Sequence, residues 1–436
     1  MSKANSSHYQ DFKNLDQWLS YLENLHSTEI DLGLTRISQV AERLAIDLSF
    51  AKVITVAGTN GKGTTCAFIE NALLNSVKEN ITPSVAVYSS PHIERFNERL
   101  RINKQDIADK PLIDAFERIE QVRAEISLSY YEYTTLASLL VLMKLKPDFI
   151  ILEVGLGGRL DATNIIDADV AVITTIDLDH QAFLGNDREA IGFEKAGIMR
   201  EQQIKIVGDL QPPQSILNHA ASLKAVHGDN LFVRQQEFSV ENIQDQWTWQ
   251  SKANRLTNLA STFIPQDNAA TALMVLEQLH IELTSDFVND IIAQTKVAGR
   301  TELIEQSEHC DIILDVGHNP QATRYLAAHV QQLKQAGKYK RIFAVVAMLG
   351  DKDINASLRA LENEIDEWYT GALDVPRAAS SQVMKKSLSV FTEAINCFDN
   401  VDEAFKMASK QASSTDLILV FGSFFTVAQI RAQLKA

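Results

Sequence analysis

Long apolar runs are missing from this chain. No stretch of about 18 apolar residues occurs, which excludes a membrane-spanning helix. Cysteine is nearly missing too: only Cys66, Cys310 and Cys397 are present. They are far apart, odd in number and without metal-ligand spacing. Structural disulfides are therefore not expected, and a reducing cytoplasm is. Positive charge is in deficit, with 41 Lys and Arg against 56 Asp and Glu, a net charge of −15. That excludes nucleic acid, whose phosphates would be repelled. It leaves room for a small anionic substrate in a local basic pocket. The opening MSKANSSHYQDF lacks an apolar core, so no signal peptide is expected. Internal repeats and low-complexity tracts are absent as well.

A length of 436 residues exceeds one ordinary core and predicts two domains. Residues 12–48 read as helical, with Leu15, Trp18, Leu19 and Leu22 at helix spacing. Strand-like runs then alternate with helical segments: 52–57 (KVITVA), 84–88, 148–154 (DFIILEV) and 169–175 (DVAVITT), with a helix pattern over 134–146. Strands apolar on both faces and separated by helices predict an α/β fold with a parallel sheet covered on both sides. The pattern restarts at 311–316, 341–347 and 416–421, which predicts a smaller Rossmann-like α/β domain at the C-terminus. The division is placed at 296/297, after a helical stretch over 285–295. Residues 202–261 mix polar and short aromatic runs and give little signal.

The first strand runs into Gly58-Thr59-Asn60-Gly61-Lys62-Gly63-Thr64, and a helical stretch follows. Glycines let backbone N–H groups converge on phosphate oxygens. The helix N-terminus adds partial positive charge. Lys62 can neutralise the outer phosphates, and Thr64 can reach a phosphate or Mg²⁺. The common phosphate-loop spacing has Ser or Thr where Gly63 stands, and here the hydroxyl comes one residue later. The plain alternative is a glycine-rich turn with a surface lysine. Alone, the motif predicts only nucleoside triphosphate binding.

Three hard ligands follow predicted strands: Ser90, Glu153 and His180. Strand carboxyl ends gather at one edge of a parallel sheet, where the phosphate loop also emerges. A hydroxyl, a carboxylate and an imidazole can thus converge near a nucleotide, and Mg²⁺ needs few protein ligands. A serine before proline is ordinarily a turn residue, and a lone histidine is ordinarily structural. A carboxylate ending an apolar strand is costly unless paired or metal-bound, so Glu153 carries more weight.

Several segments occur in one order: Gly58 to Thr64, Ser89-Ser90-Pro91-His92, LEVGLGGRLDATN (152–164), Leu178 to His180, EKAGI (194–198), PQDNAA (265–270), Gly299-Arg300, DVGHNP (315–320), Asp351-Lys352-Asp353 and FGSF (421–424). Together they resemble folylpolyglutamate synthases of the Mur ligase superfamily, from about residue 32 to 427. LEVGLGGRLDATN discriminates best, because muramyl-peptide ligases share the phosphate loop but differ there.

That resemblance implies a cytoplasmic, ATP-dependent carbon–nitrogen ligase that adds L-glutamate to dihydropteroate and to reduced folates through an acyl phosphate. It implies that Gly58, Thr59, Asn60, Gly61, Lys62, Gly63 and Thr64 hold ATP phosphates, with Asn268, Arg300 and Asp315 completing the ATP site. Ser90 and Glu153 would bind one Mg²⁺ and His180 a second, assisted by a carbamylated Lys195; a monovalent cation has a place in the same scheme. Ser129, Tyr131, Asp161 and Ala162 match folate-pocket positions. Asp315, His318 and Ser423 match positions around the incoming glutamate, and Lys62, Lys195, His318 and Asp315 are the candidate catalytic residues. A monomer is expected, with no nucleic-acid or membrane partner. Asn268 as a helix cap, Arg300 in a linker salt bridge and Lys195 paired with Glu194 remain open, as does Val316-Gly317 where the family commonly has Gly-Ala. Two other readings stand: a folylpolyglutamate synthase without the first activity, and a phosphate-loop NTPase switch or binding module.

Overall fold

The computed structural model describes residues 12–28, 30–77, 81–243, 246–306 and 309–435. The chain forms two compact units. One comprises residues up to 262 together with 266–294; the other comprises 263–265 and 295–436. The short piece 263–265 joins the second unit through Phe263, whose ring lies 4.9 Å from the Lys296 ammonium and whose carbonyl accepts the Thr301 hydroxyl at 3.0 Å. No helix among the described residues is long and apolar enough to cross a membrane.

The first unit is built on an eight-stranded sheet. Its strands in chain order are β1 (Lys52–Ala57), β2 (Val85–Tyr88), β3 (Leu100–Ile102), β4 (Gln105–Asp106), β5 (Phe149–Glu153), β6 (Val170–Ile173), β7 (Ile204–Val207) and β8 (Leu231–Val233). They lie in the order β4-β3-β2-β5-β1-β6-β7-β8. The β2–β3 and β3–β4 pairings are antiparallel and the rest are parallel. The apolar runs seen in the sequence occupy the middle, buried on both faces as a doubly covered sheet requires.

Val53, Ala86, Tyr88, Ile150 and Leu152 pack with Trp18, Phe116 and Leu136 beneath helices on one face. Ala57, Ala171 and Ile173 continue that face against Ile191, Ala196 and Ile216. The helix Lys62–Asn75, buried nearly all round from Thr64 to Leu73, meets the sheet together with the helix Gln266–Gln278. The stretch 12–48 is not one helical region. It forms Leu15–Glu23 and Thr35–Leu44, because Asn24 caps the first and His26, Asp31 and Arg36 tie the intervening chain in side-chain bonds.

The weak signal over 202–261 hides β7, β8 and a separate antiparallel sheet of β9 (Phe238–Ile243), β10 (Gln246–Ser251) and β11 (Arg255–Leu259). Its polar outer positions mask the pattern, while Trp247 and Trp249 are buried on the other face with their indole N–H groups on the Ala260 and Ala270 carbonyls.

The second unit holds a six-stranded sheet of β12 (Glu302–Ile304), β13 (Asp311–Asp315), β14 (Ile342–Val346), β15 (Glu367–Ala372), β16 (Ile395–Asn400) and β17 (Leu417–Phe421). The order is β12-β13-β17-β14-β15-β16, parallel except for β12. The α/β expectation of a phosphate-loop unit with a smaller Rossmann-like unit is met.

Candidate active site

Register decides what meets at the sheet edge of the first unit. Val56 pairs with Glu153, Tyr88 with Leu152 and Ala57 with Ile173. Strands in this register end together, so Gly58, Ser89-Ser90, Glu153 and the segment from Thr174 to His180 emerge side by side.

The loop after β1 is shaped by its glycines. Gly61 has φ +87°, a left-handed conformation that disfavours a side chain. A methyl group there would sit 2.3 Å from Asn268 Oδ1. Asn268 in turn donates from Nδ2 to the buried Thr64 hydroxyl at 2.8 Å, and that hydroxyl donates to Gly61 O. Asn268 is thus a strut between the loop and the helix Gln266–Gln278, inside the first turn and not at its cap. Thr174 and Thr175 hydroxyls both reach Asn60 O, and Thr59 is tied to the backbone of Thr175 and Asp177. The Lys62 ammonium folds back onto Gly58 O at 3.0 Å and Thr59 O at 3.4 Å.

Lys195 lies on the helix Arg188–Ala196 and is 4% exposed. Its Nζ donates to Gly58 O at 2.9 Å, so it belongs to the phosphate loop and not to Glu194. Glu194 pairs with Arg159 at 2.8 Å instead. Burial, helped by the Lys62 charge, lowers the Lys195 amine to about 7, against the pull of Asp179 and Asp161. The segments LEVGLGGRLDATN (152–164) and EKAGI (194–198) meet here. A side chain on Gly158 would lie 3.0 Å from the Glu194 and Lys195 carbonyls, and one on Gly197 would overlap Arg159. Asn164 closes the contact by donating to Arg159 O and Gly197 O.

Glu153, 6% exposed, lies beneath the loop; a side chain on Gly63 would stand 3.6 Å from its Oε2. Ser90 precedes a cis bond to Pro91 and lies beside Tyr131. His180 is more exposed, at 37%, with φ +51° and its ring 3.9 Å from the Asp179 carboxylate. Among the described residues no three His, Cys, Asp or Glu side chains gather as a metal cage.

Residues matched to the folate pocket divide into two kinds. Tyr131 is half-buried, stacks on Tyr88 at 6.3 Å and points its hydroxyl at Asp161, 3.5 Å away. Burial pushes its phenol well above the ordinary value. Ser129 and Asp161 are engaged within the protein. Ser129 caps the helix Tyr130–Leu145 in a reciprocal box with Glu132. Asp161 accepts the Gly155 and Leu156 amides on one oxygen and the Thr163 amide and hydroxyl on the other. Burial raises its carboxyl despite these donors. Ala162 is buried beside it. Sequence reasoning missed the partners of Glu132: Arg36, which also pairs with Asp31, itself bonded to His26. The Ser-x-x-Glu spacing of Ser129 and Glu132 was the available signal.

The second unit repeats the edge logic. Asp315 pairs with Phe421 and Val346 pairs with Phe421, so the segments after β13 and β17 are neighbours. The buried Asp315 accepts the Thr301 amide at 2.8 Å and the Gly317 amide at 2.7 Å. Burial raises its carboxyl, while the Arg300 charge and these amides act against the rise. Arg300 lies over the Phe424 ring, 5.5 Å from its centre, and forms no ion pair among the described residues. His318 Nδ1 is 3.0 Å from Val316 O. Ser423 accepts the Thr426 amide, which caps the last helix.

A phosphate loop over a buried carboxylate and a buried amine suits a nucleoside triphosphate, and with the matches that follow the class is that of an ATP-dependent amino-acid ligase. Residues 56–273 match the Mur ligase middle domain, and residues 299–424 match the Mur ligase glutamate ligase domain. The dihydrofolate synthase/folylpolyglutamate synthase of Escherichia coli K12 is 42% identical over 97% of this chain and 96% of its own length. A structure of E. coli FolC in complex with DHPP and ADP covers 97% of this chain and 98% of that one, with a TM-score of 0.89 at 42% identity. A bifunctional folylpolyglutamate synthase/dihydrofolate synthase with Mn, AMPPNP and L-glutamate bound covers all of both chains, with a TM-score of 0.87 at 42% identity. The chain belongs to the dihydrofolate synthase/folylpolyglutamate synthase family of Mur ligases.

Proposed function

We propose that this chain joins L-glutamate to the carboxylate of dihydropteroate, forming dihydrofolate, and to the γ-carboxylate of reduced folates, with ATP as co-substrate. The carrying observation is the sharing of one sheet edge by the phosphate loop, the Glu153 carboxylate and the buried Lys195 amine. The relatives solved with DHPP and ADP, and with L-glutamate and AMPPNP, support the choice of substrates.

A free carboxylate is a poor electrophile. Its oxygen attacks the γ-phosphorus of ATP, ADP departs, and an acyl phosphate forms. The glutamate nitrogen then attacks the acyl carbon, the carbon–oxygen bond to phosphate breaks, and a proton leaves the nitrogen. Placement and charge stabilisation carry such a reaction. The loop amides and the helix Lys62–Asn75 receive the phosphates, and Lys62 turns from the Gly58 and Thr59 carbonyls to meet them. Asn268, Arg300 and Asp315 are assigned to ATP, and His318 and Ser423 to glutamate. Tyr131 faces the folate, while Ser129, Asp161 and Ala162 shape that pocket through its backbone.

Mg²⁺ takes oxygen ligands, with one or two carboxylates and the rest from phosphates and water. Glu153 and Ser90 fit one such ion and His180 a second; bound there, the ions would neutralise phosphate charge. A buried lysine cation beside them is costly, and the burial that lowers Lys195 leaves a neutral nitrogen able to add to CO₂ and release a proton. The resulting carbamate offers two hard oxygens. The test of the function is direct. With ATP, Mg²⁺, glutamate and either dihydropteroate or tetrahydrofolate, each product should gain the mass of one glutamyl residue. ATP hydrolysis with no gain in mass on either substrate contradicts the reading.

A further inference from the structure

Three arginines follow the Ser89–Pro91 turn, and they are not treated alike. Arg95 is 3.7 Å from Asp109, and Arg101 is paired at 2.8 Å with the buried Glu70. Arg99 forms no ion pair among the described residues. Its Nε donates to His92 Nδ1 at 2.9 Å. Its guanidinium lies 5.6 Å from the centre of the Phe96 ring and 5.5 Å from that of Tyr130. Two ring faces and an imidazole fix the plane of the guanidinium, and all three are neutral. That leaves the Nη fork, the part of arginine whose geometry matches a carboxylate, without an anion.

The location is specific. Arg99 immediately precedes β3, whose Leu100 pairs with Tyr88 at the end of β2, and its carbonyl accepts the Ser89 amide at 2.8 Å. It therefore stands at the same sheet edge as Ser90. Tyr130, on which it rests, adjoins Tyr131, which lies beside Ser90. A half-buried cation at this edge, held in orientation yet unpaired, is a receptor for an anionic part of the substrate.

We propose that Arg99 binds the non-reacting α-carboxylate of the terminal glutamate of a folate substrate and thereby distinguishes folates from dihydropteroate. The inference rests on the proposed function. The reacting carboxylate has to reach the phosphate loop with a free oxygen pair, and a carboxylate clamped by an arginine fork is a weakened nucleophile. The fork therefore suits the carboxylate that does not react. A folate that already carries glutamate has such a group. Dihydropteroate has a single carboxylate, which must stay free.

The test compares binding of dihydrofolate and dihydropteroate to the full chain and to Arg99→Gln and Arg99→Lys, by fluorescence titration with Mg²⁺ and ADP present. For Arg99→Gln we expect the Kd of dihydrofolate to rise about 10- to 100-fold, as loss of a charge-assisted pair implies. The Kd of dihydropteroate should stay within about twofold, which also shows that the variant is folded. Arg99→Lys should fall between. Equal weakening of both ligands would overturn the proposal, because Arg99 would then serve a part they share. No weakening of either would overturn it too. Should Arg99→Gln not fold, the Arg99→Lys ratio alone decides between these outcomes. Binding needs no turnover, so a wild-type protein that binds both ligands but adds no glutamate would sink the ligase reading and leave the Arg99 result standing.

Discussion

Lys195 shows what burial does to one residue. As a surface lysine paired with Glu194 it would stay a cation, but the Arg159–Glu194 pair leaves it to the phosphate loop. Its amine is lowered to about 7 from an ordinary 10.5. Between those values the folded protein binds fewer protons than the unfolded chain, so this lysine makes stability rise with pH from about 7 towards 10.5. Lys195→Met should flatten that rise in urea titrations of the ligand-free protein. The neutral amine is also the form that adds CO₂. With ¹³C-labelled CO₂, a carbamate carbon signal should be present near pH 8 and fade as pH falls through about 7; its absence in the presence of Mg²⁺ and ATP analogue counts against the carbamate. Lys195→Ala should lose most activity and regain part of it with short carboxylic acids. Lys62→Ala should lower kcat by about 10²-fold or more, the cost of one preorganised charge at a moving phosphoryl group, and steady-state kinetics reads it.

At the scale of an element, the phosphate loop and the folate-side helix make separate predictions. Gly61→Ala places a methyl against Asn268 and a side chain at φ +87°, so it should loosen the strut from Asn268 to Thr64. We expect a loss of about 1–3 kcal/mol in unfolding free energy with weakened ADP binding, read by urea denaturation with and without nucleotide. Ser129→Ala removes a helix cap and should cost about 1 kcal/mol. If Ser129 acts only through the cap, Ser129→Asp, which also caps, should restore stability and dihydropteroate affinity together.

These elements also show what the sequence could and could not convey. β1, β5 and β6 were legible because they are apolar on both faces and bounded by glycine or charge. The sheet of β9, β10 and β11 was not, because its polar positions alternate and its two buried tryptophans find their carbonyl partners, Ala260 and Ala270, outside its strands. Ser90, Glu153, Lys62 and Lys195 could be picked out as chemistry-bearing residues. That Asp161 spends its oxygens on the Gly155 and Leu156 amides is a matter of three dimensions. The same holds for Arg99, whose lack of an acidic partner among the described residues shows only once Arg95 and Arg101 have found theirs.

For the whole molecule, two α/β units carry the assigned residues: the phosphate loop, Asn268 and the folate positions on the first, and Arg300, Asp315, His318 and Ser423 on the second. The net charge of −15 makes local cations the means of holding anionic substrates. Activation of the substrate carboxylate by phosphorylation underlies the whole proposed reaction. It is tested most directly by running the reaction with dihydropteroate labelled with ¹⁸O in its carboxylate, then measuring the released phosphate and nucleotide by mass spectrometry. An acyl phosphate puts one labelled oxygen in inorganic phosphate, with ADP as the nucleotide product. Unlabelled phosphate, with label in AMP, would contradict it.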